Sequence, residues 1–274
     1  MKFLKNDTEG KIYKMKMISF CNKKGGVGKT TLCKNVAYKL ALDGAKVLLI
    51  DLDPQATLTL QTATKNISNE NCILDLIATK NLLNIIKVNN VIKETKYKNI
   101  DIIMGNETLT NSNVILNSSY DEQERLLISD LVYEKNKDIF DSYDYVLIDY
   151  PPTIQELAIS FLLISDLIVV PTNDGLNSIK GIIDLKNTLN HFAKKIKKEI
   201  LPFKIIFNQV KDNHNINSIR NNLIENNLIE NIINTVFYYS DTFKVVENDL
   251  SSIWENPYYW RQKQAYEELI KEIK

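Results

Sequence analysis

Lys24-Gly25-Gly26-Val27-Gly28-Lys29-Thr30-Thr31 lies between a short apolar run, Lys16–Cys21, and an amphipathic stretch, Thr30–Leu42. The first reads as a buried strand and the second as a helix, so the octet is a strand-to-helix loop. Such a loop leaves unpaired backbone N–H groups at the helix start, where the helix dipole also favours an anion. Gly25, Gly26 and Gly28 let the backbone close around phosphate with no Cβ in the way. Lys29 then reaches the β- and γ-phosphates of a nucleoside triphosphate, and the Thr30 hydroxyl can ligate Mg²⁺. The octet, Lys24 to Thr31, is the candidate nucleotide-binding loop.

Outward from this loop, apolar runs alternate with helical stretches. Candidate strands are Lys16–Cys21, Ala45–Asp51, Ile100–Met104, Tyr143–Asp149, Leu167–Pro171 and Phe203–Asn208. Most are continuous apolar runs, as expected when both faces of a sheet are covered. Candidate helices are Asp121–Phe140, Ile154–Ile164, Ser178–Lys198, Ile216–Glu225 and, after Pro257, Tyr258–Lys274. Gly44 follows Leu40-Ala41-Leu42-Asp43 as the cap of the first helix. Asn66–Asn99 gives no firm helix boundaries. The expected fold class is α/β, a doubly wound, mostly parallel sheet with helices on both faces. With no linker rich in Pro, Gly or Ser and no repeat, residues 15–274 read as one domain. Residues 1–14 read as a short polar N-terminal extension, or as an upstream start before Met15 or Met17.

The chain has 274 residues, 44% hydrophobic and 25% charged, ordinary values for a soluble globular protein. Lys+Arg and Asp+Glu are both 34, so any contact with nucleic acid must come from a local patch rather than net charge. Cys21, Cys33 and Cys72 match neither zinc nor redox spacing and read as free thiols of a reducing cytosol. No apolar segment approaches the ~20 residues of a membrane-spanning helix. Met1–Lys14 lacks the apolar core of a signal peptide. The expected location is cytoplasmic.

A second strand ends in acids: Val47-Leu48-Leu49-Ile50-Asp51-Leu52-Asp53-Pro54-Gln55. Ligands of open α/β sheets gather at the carboxyl ends of strands, so both carboxylates emerge beside the loop. Tyr145-Val146-Leu147-Ile148-Asp149 delivers a further carboxylate in the same way, suited to holding Mg²⁺ through water. In the common loop pattern G-x-x-x-x-G-K-[ST], a glycine would stand at position 23. Here Lys23 occupies it and Lys24 precedes the Gly-Gly pair. The octet therefore resembles the deviant Walker A motif, K-G-G-x-G-K-[ST], of the ParA/MinD ATPases, and the Asp51–Gln55 segment closely resembles that family's D-x-D-P-Q motif.

The resemblance runs from about Lys16 to the C-terminus, and it implies a P-loop NTPase that binds ATP and Mg²⁺. It assigns Lys24, Lys29 and Asp53 to catalysis, with Lys24 crossing a dimer interface to the partner's nucleotide and Asp53 positioning or activating the attacking water. Thr30, Asp51 and Asp149 become the metal residues. Asn208, ending Ile206-Phe207-Asn208, becomes the adenine contact. Pro151-Pro152-Thr153 is similar to the family's turn after the Walker B acid, although Tyr150 stands where a small residue or Cys is usual. Val170-Pro171-Thr172 also resembles a family strand end, while Asn173-Asp174-Gly175 departs from its acidic versions. Ala265–Ile273 resembles the closing A-Y-x-x-L-x-x-E helix of partition ATPases.

His191 and His214 have no ligand partner at metal spacing and read as surface residues. Lys194, Lys195, Lys197 and Lys198 form a basic helix end, which a helix dipole favours by itself. The resemblance makes them, with Arg220 and Lys244, candidates for DNA contact. It implies a partition ATPase: an ATP-bound homodimer that binds DNA without reading sequence and is released by hydrolysis stimulated by a centromere-binding, ParB-like protein. A MinD-like membrane-positioning ATPase is the alternative, although Glu267, Glu268 and Glu272 in the last helix disfavour an anionic surface. An iron–sulfur reductase of the related type would need cysteines in Ile100–Asn117 or Asp149–Ser165, and there are none.

Overall fold

The structure, a computed structural model, describes residues 5–6, 12–13, 15–64, 72–77, 88–173, 177–199, 202–211 and 213–274. Its strands are β1 (Lys5–Asn6), β2 (Ile12–Tyr13), β3 (Lys16–Phe20), β4 (Val47–Asp51), β5 (Ile92–Glu94), β6 (Ile100–Ile103), β7 (Tyr145–Asp149), β8 (Leu167–Thr172), β9 (Phe203–Val210) and β10 (Ile232–Tyr238). Its helices are α1 (Lys29–Leu42), α2 (Thr57–Thr62), α3 (Ile73–Ile77), α4 (Ser112–Ser119), α5 (Glu122–Lys135), α6 (Lys137–Phe140), α7 (Glu156–Ile164), α8 (Asn177–Lys195), α9 (Asn213–Glu225), α10 (Thr242–Asn248) and α11 (Trp260–Ile273).

β3 to β10 form one sheet in the order β10-β9-β8-β3-β7-β4-β6-β5, parallel throughout except for β5. The chain leaves β3 toward β4 on one side and later crosses to β8 on the other. The loop after β3 therefore sits at the switch point, where the crossovers diverge and leave a crevice. Side-chain alternation splits each central strand between two cores. Val47 and Leu49 of β4 face Leu32, Val36 and Leu40 of α1 and Leu269 of α11. Leu48 and Ile50 face the layer built by Ile128 of α5, Phe161 of α7, Leu185 of α8 and Ile219 of α9. Helices on both faces explain why these strands read as unbroken apolar runs.

All six expected strands form, with ends moved by at most two residues. β5 and β10, the two edges, were not expected. β5 is three residues, Ile92 and Lys93 half-exposed and Glu94 exposed, and Asn234 and Thr235 interrupt the apolar run of β10. That edge is capped from within: both Glu272 oxygens accept from the N–H groups of Asn234 (3.1 Å) and Thr235 (3.2 Å). An acid on an exposed edge blocks pairing with other strands.

The expected Asp121–Phe140 helix is broken at Asn136. Its buried side chain donates to the Val132 carbonyl (3.0 Å) and accepts from the Val88 N–H (2.8 Å). That dual use ends α5 and pins the incoming chain. Asp121 is not helical but caps α5 in a reciprocal box with Glu124. Gly44, at φ +95°, closes α1 in a Schellman motif, with Gly44 N–H bonded to Ala41 and Ala45 N–H to Leu40. Within Asn66–Asn99, α3 and β5 are placed, while 66–71 and 78–87 lie outside the described residues, as do Asp174, Gly175 and the His214 side chain. Lys5–Asn6 and Ile12–Tyr13 pair antiparallel within the expected extension.

Candidate active site

The loop from Cys21 to Gly28 leaves β3 and enters α1, whose N-cap is Gly28 at φ +84°. An L side chain is strained there, and a Cβ would also lie 2.3 Å from Asn208 Nδ2. Asn208 comes so close because its Nδ2 donates to the Val27 carbonyl (2.7 Å). Asn22, fully buried, braces the loop's other limb by accepting from the Lys24 N–H (2.9 Å) and donating to the Pro171 carbonyl (2.7 Å). Lys29 is buried, and its ammonium donates to the Lys24 carbonyl across the loop (3.3 Å). The Lys24 ammonium donates to Asn173 Oδ1 at the end of β8 (2.9 Å).

β4 and β7 pair with Asp51 directly opposite Asp149, so two buried carboxylates stand side by side at the strand tips. Thr30 donates to Asp149 Oδ2 (2.6 Å), and Asp149 Oδ1 is buried with no hydrogen-bond partner among the described residues. Burial, and then the neighbouring Asp51 charge, push the Asp149 carboxyl well above the ordinary carboxylate range. Burial raises Asp51 to about 6, against the hydrogen bonds from Thr59. Its Oδ2 accepts from the Thr59 N–H (2.9 Å) and hydroxyl (2.7 Å), and its Oδ1 from the Asp53 N–H (3.1 Å). A hydroxyl beside two crowded, dry carboxylates, one with an unused oxygen, fits a hard divalent cation, which would relieve their mutual repulsion.

Asp53 is set apart from this pair. It is half-exposed, its Oδ1 accepts from the Gln55 N–H (2.9 Å), and it lines a cleft of about 320 Å³ with Gln55, Pro151, Pro152 and Thr153. A carboxylate so lightly held can orient a water entering from the open side.

A profile described as an AAA domain matches residues 15–201. The sporulation initiation inhibitor protein Soj of Bacillus subtilis is 31% identical over 186 residues, covering 68% of this chain and 69% of Soj. The chain belongs to the ParA family of P-loop ATPases. Among solved structures, apo McdA of Cyanothece matches with a TM-score of 0.78 at 20% identity, covering 94% of this chain and 98% of McdA. A putative plasmid partition protein of Borrelia burgdorferi B31, solved bound to AMPPNP, gives 0.70 at 20% identity over 94% and 100%. These likenesses extend the ParA-type fold to parts of the chain beyond residue 201.

The ParA-type fold does not gather the six basic candidates on one surface. α8 runs back along β8, so its lysines lie at the amino ends of the strands, away from the loop. Lys195 pairs with Glu122 (2.5 Å) and Lys198 with Asp130 (2.8 Å), while Lys194 and Lys197 are exposed. Arg220 is half-buried over the Phe207 ring, 5.8 Å from its centroid, with a buried Nε that lacks a partner among the described residues. Lys244 is exposed at the opposite, nucleotide-loop end of the sheet, bonded to the Tyr239 hydroxyl (2.9 Å) and near Asp241 (3.5 Å). His191 is exposed beside the Phe192 ring.

Two features of the site escaped the sequence reading. Gly105 packs against the Asp51 carboxyl, where a Cβ would come within 2.9 Å, and its N–H donates to Thr59 Oγ1 (2.9 Å). Its placement at the end of the Ile100–Met104 run was the available signal. The segment after β10 also reaches the loop: a cavity of about 120 Å³ is lined by Thr31, Asn208, Tyr239, Phe243, Lys244 and Glu247. Nothing local in Thr242–Asn248 announces that neighbourhood.

Proposed function

We propose that this ParA-type protein is a slow, Mg²⁺-dependent ATPase that segregates DNA, either plasmid or chromosome, with one ATPase domain over residues 15–274. Two copies bind ATP face to face, bind DNA without reading sequence, and separate when a centromere-binding, ParB-like partner stimulates hydrolysis. The protein is cytoplasmic and rests on the nucleoid while ATP-bound. The observation that supports this best is the Thr30–Asp149 contact with its unused carboxylate oxygen, set beside a loop that holds Lys29 inward and Lys24 at its rim.

In this reading the loop amides and Lys29 hold the β- and γ-phosphates. Thr30, with Asp51 and Asp149 through water, would hold Mg²⁺, which would supply charge neutralisation at the phosphates. Asp53 orients the attacking water from its open cleft. Lys24 leaves Asn173 for a phosphate bound to the other subunit, which makes association depend on ATP. Asn208, braced on Val27, meets the adenine at the mouth of the 120 Å³ cavity.

DNA contact then rests on exposed lysines, with Lys194 and Lys197 favoured over the ion-paired Lys195 and Lys198 and over the half-buried Arg220. Dimerisation raises weak patches to useful avidity. A membrane role has less support. Tyr266, Leu269, Ile270 and Ile273 of α11 are buried in the core, so its apolar face is already covered. Among the described residues no helix is long and apolar enough to cross a membrane.

Gel shifts on unrelated duplexes with ATP, with ADP and with no nucleotide test this reading. The expected result is a salt-sensitive shift with ATP alone, weakened by Lys194→Glu with Lys197→Glu while ATP binding persists. Binding to anionic vesicles in place of DNA would overturn it.

A further inference from the structure

Glu247 reaches the nucleotide loop from a distant part of the chain, and its charge also acts on the buried Lys34 ammonium. It comes from α10, beyond β10, yet its carboxylate accepts the hydroxyl proton of Thr31, at the third position of α1. α10 is already fixed without it. Val246 is buried beneath, the Lys34 ammonium donates to the Ser251 carbonyl (3.0 Å), and Lys96 donates to the Leu250 carbonyl. Thr31 itself is held through its carbonyl, which accepts from Asn35 Nδ2 (2.9 Å) and the Tyr266 hydroxyl (3.3 Å). The Thr31–Glu247 contact is therefore the exchangeable one in this corner. It lies on the wall of the cavity shared with Asn208, Tyr239 and Phe243, and Glu247 is the only carboxylate among the described residues lining it.

A threonine hydroxyl has one proton to give. With the β- and γ-phosphates at Lys29 and Thr30, the nucleoside end of the ligand leaves the loop past Thr31 toward this cavity. An α-phosphate arriving at the first turn of α1 competes for the Thr31 proton and repels the Glu247 charge. The ribose, joined to that phosphate through its 5′ ester, brings two hydroxyl donors toward the cavity wall that Glu247 lines. Resting on the nucleotide reading above, we propose that Glu247 is the ribose-reading residue of this site. In the empty protein it is held by Thr31; in the filled one it exchanges that donor for a ribose hydroxyl. The site thereby distinguishes a nucleotide that carries ribose hydroxyls from one that lacks them. The exchange is balanced: Thr31 turns its proton to phosphate, and the sugar replaces the donor that Glu247 loses.

Calorimetric titration of the full chain with Mg²⁺ and either ADP or 2′,3′-dideoxy-ADP tests this without hydrolysis or dimer formation. The wild type should bind ADP roughly 10- to 100-fold more tightly, the range for a hydrogen bond to a charged acceptor. Glu247→Ala should bring the two affinities together, losing the ribose contact of ADP while freeing Thr31 and relieving the charge repulsion for the dideoxy compound. A purely structural role would weaken both equally. Glu247→Gln keeps an acceptor for Thr31 without the charge and should discriminate to an intermediate degree. Equal binding of the two ligands by the wild type, or discrimination that survives in Glu247→Ala, would overturn the assignment while leaving the nucleotide site standing. A wild type that binds neither ligand would overturn both.

Discussion

Thr30 and Asp149 are 119 residues apart in the chain, and a 2.6 Å hydrogen bond joins them. The contact follows from strand pairing: β3 and β7 are adjacent and in register, with Phe20 opposite Asp149. The first turn of α1 is thus carried over the tip of β7. The same pairing leaves Asp149 Oδ1 buried and without a hydrogen-bond partner among the described residues, which is the chemical need that a bound cation would meet.

Lys29→Ala should weaken ATP binding roughly a hundredfold or more, since it removes a buried cation from the β- and γ-phosphates. The fold should survive, because Lys29 contributes one long bond to the Lys24 carbonyl. Fluorescent-nucleotide titration reads the affinity. Unchanged binding would remove the loop from the site.

Asp53→Ala should retain ATP and Mg²⁺ binding while hydrolysis falls about 10²–10⁴-fold, the usual worth of a general base. Thr30, Asp51 and Asp149 are untouched, and the side chain gives up only its bond from Gln55. Phosphate release and light scattering together should show a persistent ATP dimer. In that background Lys24→Gln should weaken the dimer and spare nucleotide binding.

Gly28→Ala should destabilise the protein by about 1–3 kcal/mol, the usual cost of a strained backbone position. The new Cβ meets Asn208 Nδ2 at 2.3 Å, so Asn208 must leave the Val27 carbonyl. Urea unfolding measures the loss. Gly25→Ala is the control, because a Cβ there meets nothing within 4 Å.

Lys34 is buried on α1, and burial lowers its ammonium to about 8 from an unfolded value of 10.5. A lysine lowered in this way opposes folding while charged, so the penalty is full below pH 8 and is relieved as the pH rises toward 10.5. Lys34→Met has no such penalty. Whatever its stability relative to wild type at pH 7, that difference should fall by about 2 kcal/mol by pH 10. Urea unfolding of both proteins at the two pH values checks it, and a constant difference would contradict it.

Six strands and the longer helices between them were legible from residue type, because strands buried on both faces must be apolar throughout and Gly44 can end a helix where other residues resist; the short helices α2, α4 and α10 were not. The octet at Lys24 and the acids Asp51, Asp53 and Asp149 were legible for the same local reason: glycines, a lysine and carboxylates at strand ends have few other uses. The edge strands were not, since β10 needs only one apolar face and carries Asn234 and Thr235. Nor were the partners that arrive from distant chain. Asn208 under Val27, Gly105 against Asp51 and Glu247 on Thr31 depend on which strands lie side by side, and local pattern does not encode sheet order. The sequence by itself determined the loop, the carboxylates and the alternation of elements, because these follow from backbone and side-chain chemistry over a few residues. Tertiary structure alone decided that Asp51 and Asp149 share one dry corner, that α10 reaches the nucleotide loop, and that the basic residues lie at opposite ends of the sheet. Burial and proximity between remote segments are set by packing, which no short stretch contains.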